Sequence, residues 1–178
     1  MEGETMKAVV VYYSKTGFTK RYAEWISEEL ACKAVSYEDR GSIKWDQYDI
    51  ILFGGGFHAG KINGLKWFKE KLPELAGKKI IVFATGSMPP EAAEVETTMK
   101  ANFTQAQWNQ VKTFYLWGGL CYEKMDSRDK LMMSVLRKAL KILKKTEMLE
   151  AVSSSYDKAS KEYLVPLLQY VRSGMGES

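Results

Sequence analysis

The sequence predicts an α/β protein, a three-layer sandwich whose five-stranded parallel sheet, in the order 2-1-3-4-5, carries a helical insertion after strand five. Three observations predict it. Short, almost unbroken apolar runs such as AVVVYY and IILF are of the kind a parallel sheet buries on both faces. These runs alternate with segments of helical period, and strands separated by helices require right-handed crossovers, which place helices on both faces of an open sheet. Glycine- and hydroxyl-rich turns follow the runs at one end, where ligands bind in such sheets.

Strand one is expected over residues 7–13. A helix follows over 19–30, because Tyr22, Ile26 and Leu30 recur at four-residue spacing beside Ala23 while Glu24, Glu28 and Glu29 face water. A short second strand is expected over 34–37, and a third over 49–53, stopped by Gly54, Gly55 and Gly56. Residues 64–72 form a helix with Leu65, Phe68 and Leu72 inward and Pro73 at its end. Strand four covers 79–84 and leads into a loop over 85–90; residues 91–110 are helical, and strand five covers 111–117, closed by Gly118 and Gly119. The last helix is expected over 157–171, where Pro166 predicts a kink or a late start.

At 178 residues and 46% hydrophobic content the chain can bury one sizeable core, so a single domain is expected over 6–173 with flexible ends at 1–5 and 174–178. The string MKAVVVYY from Met6 already opens the first strand. No apolar stretch approaches the roughly 20 residues that span a bilayer, and no leader pattern opens the chain, which leads to the expectation of a soluble cytoplasmic protein. Cys32 and Cys121 form no paired motif and His58 is the only histidine, so neither a disulfide framework nor a zinc site is expected.

The net charge of +4 is local. Residues 128–145 carry seven basic side chains against Asp129, a balance of +6, so the rest of the chain sums to −2. A nucleic-acid-binding surface would spread this charge over a face of the core, and no nucleic acid is expected as a partner.

The chemistry gathers in four loops: SKTGFT after strand one, GGGFHAG after strand three, ATGSMPP after strand four and GGLCYEKM after strand five. The run VVVYYSKTGFT breaks from a buried strand into hydroxyl residues and a helix N-terminus, the ingredients of an anion cradle. A phosphoryl-accepting receiver would need carboxylates where this chain has Tyr12-Tyr13 and Gly54-Gly55. A phosphotyrosine-phosphatase-like enzyme would need a cysteine opening the phosphate loop. GxxxxGK[ST] and GxGxxG after the first strand are both missing. What remains is a mononucleotide whose phosphate is held without a metal or a lysine clamp.

SKTGFT resembles the S-x-T-G-x-T phosphate loop of flavodoxins, and the resemblance extends over nearly the whole chain. It implies FMN as cofactor. By this resemblance Ser14, Thr16 and Thr19 would donate hydroxyls to the phosphate and Lys15 and Gly17 backbone N–H groups, while Phe18 replaces the polar residue often found there. The second loop, Gly56, Phe57, His58, Ala59 and Gly60, would lie against one flavin face, with His58 aligned with a stacking tryptophan and Gly60 at a peptide that flips on reduction. A histidine in a glycine-rich turn is equally a plain surface residue. In the third loop Thr85, Gly86 and Ser87 would present N–H groups to the pyrimidine edge of the ring, favouring the reduced state; Met88 is a contact or core.

The insertion after Gly119 places Met132, Leu136, Leu140 and Leu143 on one apolar stripe and basic residues opposite. It is similar to the extended segment of flavodoxin-like protoporphyrinogen oxidases, which pass electrons from a tetrapyrrole to a quinone. Such a helix would dock an anionic porphyrin, an acidic protein or a membrane surface; equally, its stripe would pack on the sheet with its lysines solvated. Two functions follow. One is a redox carrier serving a partner protein or small-molecule acceptor. The other is an FMN-dependent oxidoreductase in which His58 or Tyr122 handles protons and the insertion forms one wall. Flavodoxins are typically acidic, so the basic insertion argues against a plain carrier.

Overall fold

The computed structural model describes residues 6–175. Strands β1 (Ala8–Tyr13), β2 (Lys33–Ser36), β3 (Ile50–His58), β5 (Lys79–Gly86) and β6 (Lys112–Trp117) form a parallel sheet in the order β2-β1-β3-β5-β6. This is the expected doubly wound arrangement, with one correction: the sheet has a sixth member, β4 (Lys61–Ile62), which pairs antiparallel with the end of β3.

Alternation along the strands builds the two faces. Val9, Val11, Phe53 and Val82 point into one core, shared with α2 (Leu65–Lys71) and α3 (Ala93–Lys100). Ala8, Val10, Leu52 and Phe83 point into the other, shared with α1 (Phe18–Leu30) and α7 (Val165–Met175). In the first core the Phe53 and Phe68 rings stack with centroids 4.8 Å apart. In the second, Tyr22, Ala23 and Ile26 of α1 are fully buried.

The glycines at 54–56 do not stop strand three; β3 continues through them to His58. Close packing explains this. A Cβ on Gly54 would stand 2.1 Å from the Phe83 ring, and one on Gly55 would stand 2.4 Å from the Asn63 carbonyl oxygen. Strand β5 likewise runs to Gly86, taking in Thr85 and Gly86, which were expected in a loop.

The helical stretch at 91–110 is two helices, α3 and α4 (Gln105–Gln110), because Thr104 starts the second with a reciprocal capping box to Gln107. After β6 come β7 (Gly119–Leu120), α5 (Ser127–Ile142) and α6 (Thr146–Ala151), and then β8 (Tyr156–Asp157), which pairs antiparallel with β7. The expected helix from 157 starts late, at Val165, which puts Pro166 in the first turn where its missing N–H costs nothing. Of the ends expected to be flexible, 1–5 and 176–178 lie outside the described residues, whereas Gly174 and Met175 continue α7.

Candidate functional site

At the carboxyl ends of β1, β3 and β5 lies a cleft of about 450 Å³, within the range typical of small-molecule sites. Its floor is the turn between β1 and α1. Gly17 caps α1 in the left-handed region, at φ 97°, and its N–H donates to Ser14 Oγ at 3.2 Å. Lys15, Thr16, Phe18 and Thr19 line the cleft, whereas Ser14 and Gly17 shape the turn beneath it. Thr19 is buried, and its hydroxyl meets that of Thr85 at 2.8 Å. One of the two hydroxyls donates to the other, which leaves one O–H proton free for a ligand.

The opposite wall is the turn joining β3 to β4. Gly56, Phe57, His58, Ala59 and Gly60 all line the cleft. Ala59 and Gly60 have φ of 47° and 75°, the pair of positive values a tight hairpin turn needs. Buried Asn102 clamps this hairpin: its Nδ2 donates to the Gly60 and Thr98 carbonyls, and its Oδ1 accepts from Ile62 N–H at 3.1 Å.

Thr85, Gly86 and Ser87 form the third side. Their loop is pinned from behind: the Ser87 carbonyl accepts from Tyr156 Oη at 2.6 Å and Trp117 Nε1 at 3.2 Å, and the Met88 carbonyl accepts from Tyr115 Oη at 2.8 Å. Burial pushes both phenols' pKa up, so they remain donors across the neutral range.

The insertion supplies the lid. Met125, Asp129, Met132, Met133 and Leu136 line the cleft, joined by Leu120 and Cys121. The expected stripe of Met132, Leu136, Leu140 and Leu143 is therefore only partly inward: Met133 and Leu140 are buried, while Leu143 is 66% exposed. Asp126 caps α5 by accepting from Asp129 N–H at 2.9 Å, a bond that holds its carboxyl below the usual carboxylate range. Asp129 reaches across the cleft. Its Oδ1 accepts from His58 Nε2 at 2.5 Å, and its Oδ2 lies 3.7 Å from Lys15 Nζ. Thus one buried carboxylate joins the β1–α1 turn, the β3–β4 turn and the insertion.

Tyr122, the other sequence candidate for proton handling, is not among the cleft's residues, and its hydroxyl donates to the Val152 carbonyl. Asp129 escaped the sequence reading because it reads as one acidic residue within a basic helix. A lysine does reach the β1–α1 turn: Lys124 Nζ stands 3.1 Å from where a Cβ on Gly17 would be. Among the described residues no group of three His, Cys, Asp or Glu side chains is placed to hold a metal, and no helix is long and apolar enough to cross a membrane.

A hydroxyl-rich turn with a left-handed glycine at the switch point of a doubly wound sheet, flanked by a glycine-rich wall and a pinned loop, defines a mononucleotide-binding protein of the flavin class. The chain belongs to the flavodoxin-domain family, whose model matches residues 9–147. Among solved structures it is similar to a flavodoxin from the domain Archaea, with 24% identity over 62% of this chain and 83% of that one and a TM-score of 0.40. It is also similar to a flavoprotein in complex with FMN from Lactobacillus acidophilus, with 17% identity over 63% and 92% of the chains and a TM-score of 0.46. Oxidised flavodoxin 1 from Bacillus cereus matches with 18% identity over 62% and 84% and a TM-score of 0.44. No curated protein matches the chain.

FMN is the cofactor of this family, and the donor set fits it. Hydroxyls and a helix N-terminus suit a phosphate, with Lys124 Nζ supplying positive charge near the turn, whereas Lys15 is engaged by the Asp129 and Asp126 carboxylates. Gly56 lies beside the paired hydroxyls: a Cβ there would stand 3.5 Å from Thr19 Oγ1 and 3.6 Å from Thr85 Oγ1.

Proposed function

We propose that this protein transfers electrons through FMN seated in the cleft, with the phosphate on the Thr16–Thr19 turn and the ring between the Gly56–Gly60 and Thr85–Ser87 walls. The observation that carries the reading is the convergence of those three segments, from separate strands, on one cleft. When bound, FMN supplies the one- and two-electron chemistry. The chain's part is to position and to tune. Thr16 and the free proton of the Thr19–Thr85 pair offer hydroxyls to the phosphate end, and the pinned loop holds its backbone still. His58 carries its proton on Nε2 toward Asp129, which fixes the imidazole at the cleft wall.

One observation favours a second reading, an FMN-dependent oxidoreductase of the protoporphyrinogen oxidase or quinone-linked type. Met125, Met132, Met133 and Leu136 give the cleft an apolar wall supplied by the insertion. A carrier that works through an exposed flavin edge has no need of such a wall, whereas an enzyme uses one to hold an apolar substrate.

An anaerobic assay separates the two. FMN-loaded protein that passes electrons from a reduced dye to a protein acceptor, and oxidises protoporphyrinogen with a quinone no faster than free FMN, is a carrier. Turnover well above free FMN establishes the enzyme, and failure of both reactions contradicts the electron-transfer reading.

A further inference from the structure

We infer that the outer face of α5 is a docking surface for an anionic lipid membrane. Eight large hydrophobic side chains are exposed among the described residues, and seven of them fall within residues 131–148; Met132 and Leu136 line the cleft, and the other five, Leu131, Val135, Ile142, Leu143 and Met148, lie outside its lining. Scattered exposed apolar residues need no explanation, but a concentration of this kind marks an interaction surface.

Helix geometry shows that the patch is not the edge of the buried seam. At 3.6 residues per turn, Leu131, Val135 and Ile142 fall within about 40° of one another, on the side of α5 opposite Asp129, Met133 and Leu140. Those three inner residues are buried, while Leu131, Val135 and Ile142 are 67%, 59% and 79% exposed. The helix is therefore apolar on two opposite faces: one closes the cleft and the other covers nothing. Leu143 and Met148, which follow the end of α5, are exposed as well.

Charge selects the occupant. Lys130, Lys138 and Lys141 flank the stripe on one side and Arg128 on the other, all exposed, and Lys144 and Lys145 follow. The one acidic side chain within residues 128–145, Asp129, is turned inward onto His58 and does not neutralise the outer face. A second copy of this chain would set these cations against each other. An acidic protein would need a groove to receive a convex stripe of branched aliphatic residues. An anionic bilayer needs none: the stripe sinks into the headgroup boundary while the lysines keep their charge at the phosphates. The same helix closes the cleft, so docking would hold the cleft mouth beside the membrane surface. The inference does not rest on the identity of the cofactor.

Vesicle flotation of the full chain tests it, with phosphatidylcholine vesicles lacking or containing phosphatidylglycerol. Binding to the anionic vesicles should exceed binding to the neutral ones by about tenfold or more and fall at high salt. The variants Leu131→Asp/Ile142→Asp and Lys138→Gln/Lys141→Gln should each lose most of it. These side chains lie outside the cleft lining, and a urea unfolding midpoint like that of the parent chain is the check that both variants remain folded. Equal binding to neutral vesicles, no binding to either, or variants that bind like the parent chain would overturn the proposal. So would concentration-dependent self-association in lipid-free solution that Leu131→Asp abolishes, because the stripe would then belong to a second copy; an acidic protein competing for the stripe while vesicles fail would do the same.

Discussion

His58 and Asp129 are separated by 71 positions in sequence and meet at 2.5 Å, imidazole Nε2 to carboxylate Oδ1. The contact fastens the insertion to the turn between β3 and β4, and Lys15, 3.7 Å from the other carboxylate oxygen, extends it to the turn between β1 and α1. Replacing Asp129 with Asn leaves His58 and Lys15 without their shared counter-charge. The expected loss is about 1–2 kcal/mol of stability, below the usual value for a buried charged bond because His58 is partly exposed. Asp126→Asn is the control: asparagine caps a helix as well as aspartate does and the change removes only an exposed ion pair with Lys15 at 4.0 Å, so it should cost less than Asp129→Asn. Urea unfolding midpoints report both; equal midpoints for Asp129→Asn and the parent chain would mean that the bridge does not hold the insertion.

Cofactor affinity divides between hydroxyl and charge. Thr16→Ala removes a cleft-lining hydroxyl and should weaken FMN binding by about 1 kcal/mol or more, roughly fivefold. Lys124→Gln should weaken it by a smaller factor that shrinks as salt is added, since an exposed ammonium acts through screened charge. Titrations at two ionic strengths distinguish these effects, and a loss for Lys124→Gln that is independent of salt would contradict the electrostatic role.

Gly54→Ala tests the packing that lets β3 run through its glycines. The added methyl would lie 2.1 Å from the Phe83 ring, and overpacking of this kind costs about 1–3 kcal/mol. Gly41→Ala, whose methyl would have nothing within 4 Å, should be close to neutral. Thermal unfolding of the pair checks the contrast; equal melting temperatures would show that the Phe83 ring moves aside freely.

The sheet order and the hydroxyl turn between β1 and α1 could be read from the sequence because apolar runs and a cluster of Ser, Thr and Gly are local signals. The course of β3 through Gly54 and Gly55 could not, because the glycines answer to the Phe83 ring and the Asn63 carbonyl, neighbours that only the folded sheet brings near. The orientation of α5 was hidden for a related reason. Apolar residues at 131–133, 135–136, 140 and 142 occupy much of its circumference, so periodicity alone cannot say which side is packed. Asp129 was missed because its partners come from two other loops, and Asn102 because a lone asparagine between helices carries no signature of the hairpin it clamps.

Tyr22 gives the fold an alkaline limit. Its hydroxyl donates to the Trp117 carbonyl at 2.6 Å and accepts from Ser160 N–H at 3.1 Å, and burial pushes its pKa up to about 12. Below about pH 10 the phenol is neutral in both folded and unfolded chains, and its contribution to stability is constant. Between pH 10 and about 12 the unfolded chain ionises first, so stability should fall as pH rises. Tyr22→Phe should cost about 1–3 kcal/mol at neutral pH and make that alkaline slope shallower, the remainder coming from the Tyr115 and Tyr156 phenols, which burial raises likewise. Urea unfolding at pH 7, 9 and 11 checks this, and an unchanged slope in the variant would assign the alkaline loss to other groups.

FMN binding in the cleft beneath α5 is checked by titrating the purified apoprotein into micromolar FMN and following flavin emission. Emission should be quenched to an endpoint near one FMN per chain, and Thr16→Ala should need more protein to reach it. Emission that stays unchanged across the titration would contradict FMN binding there.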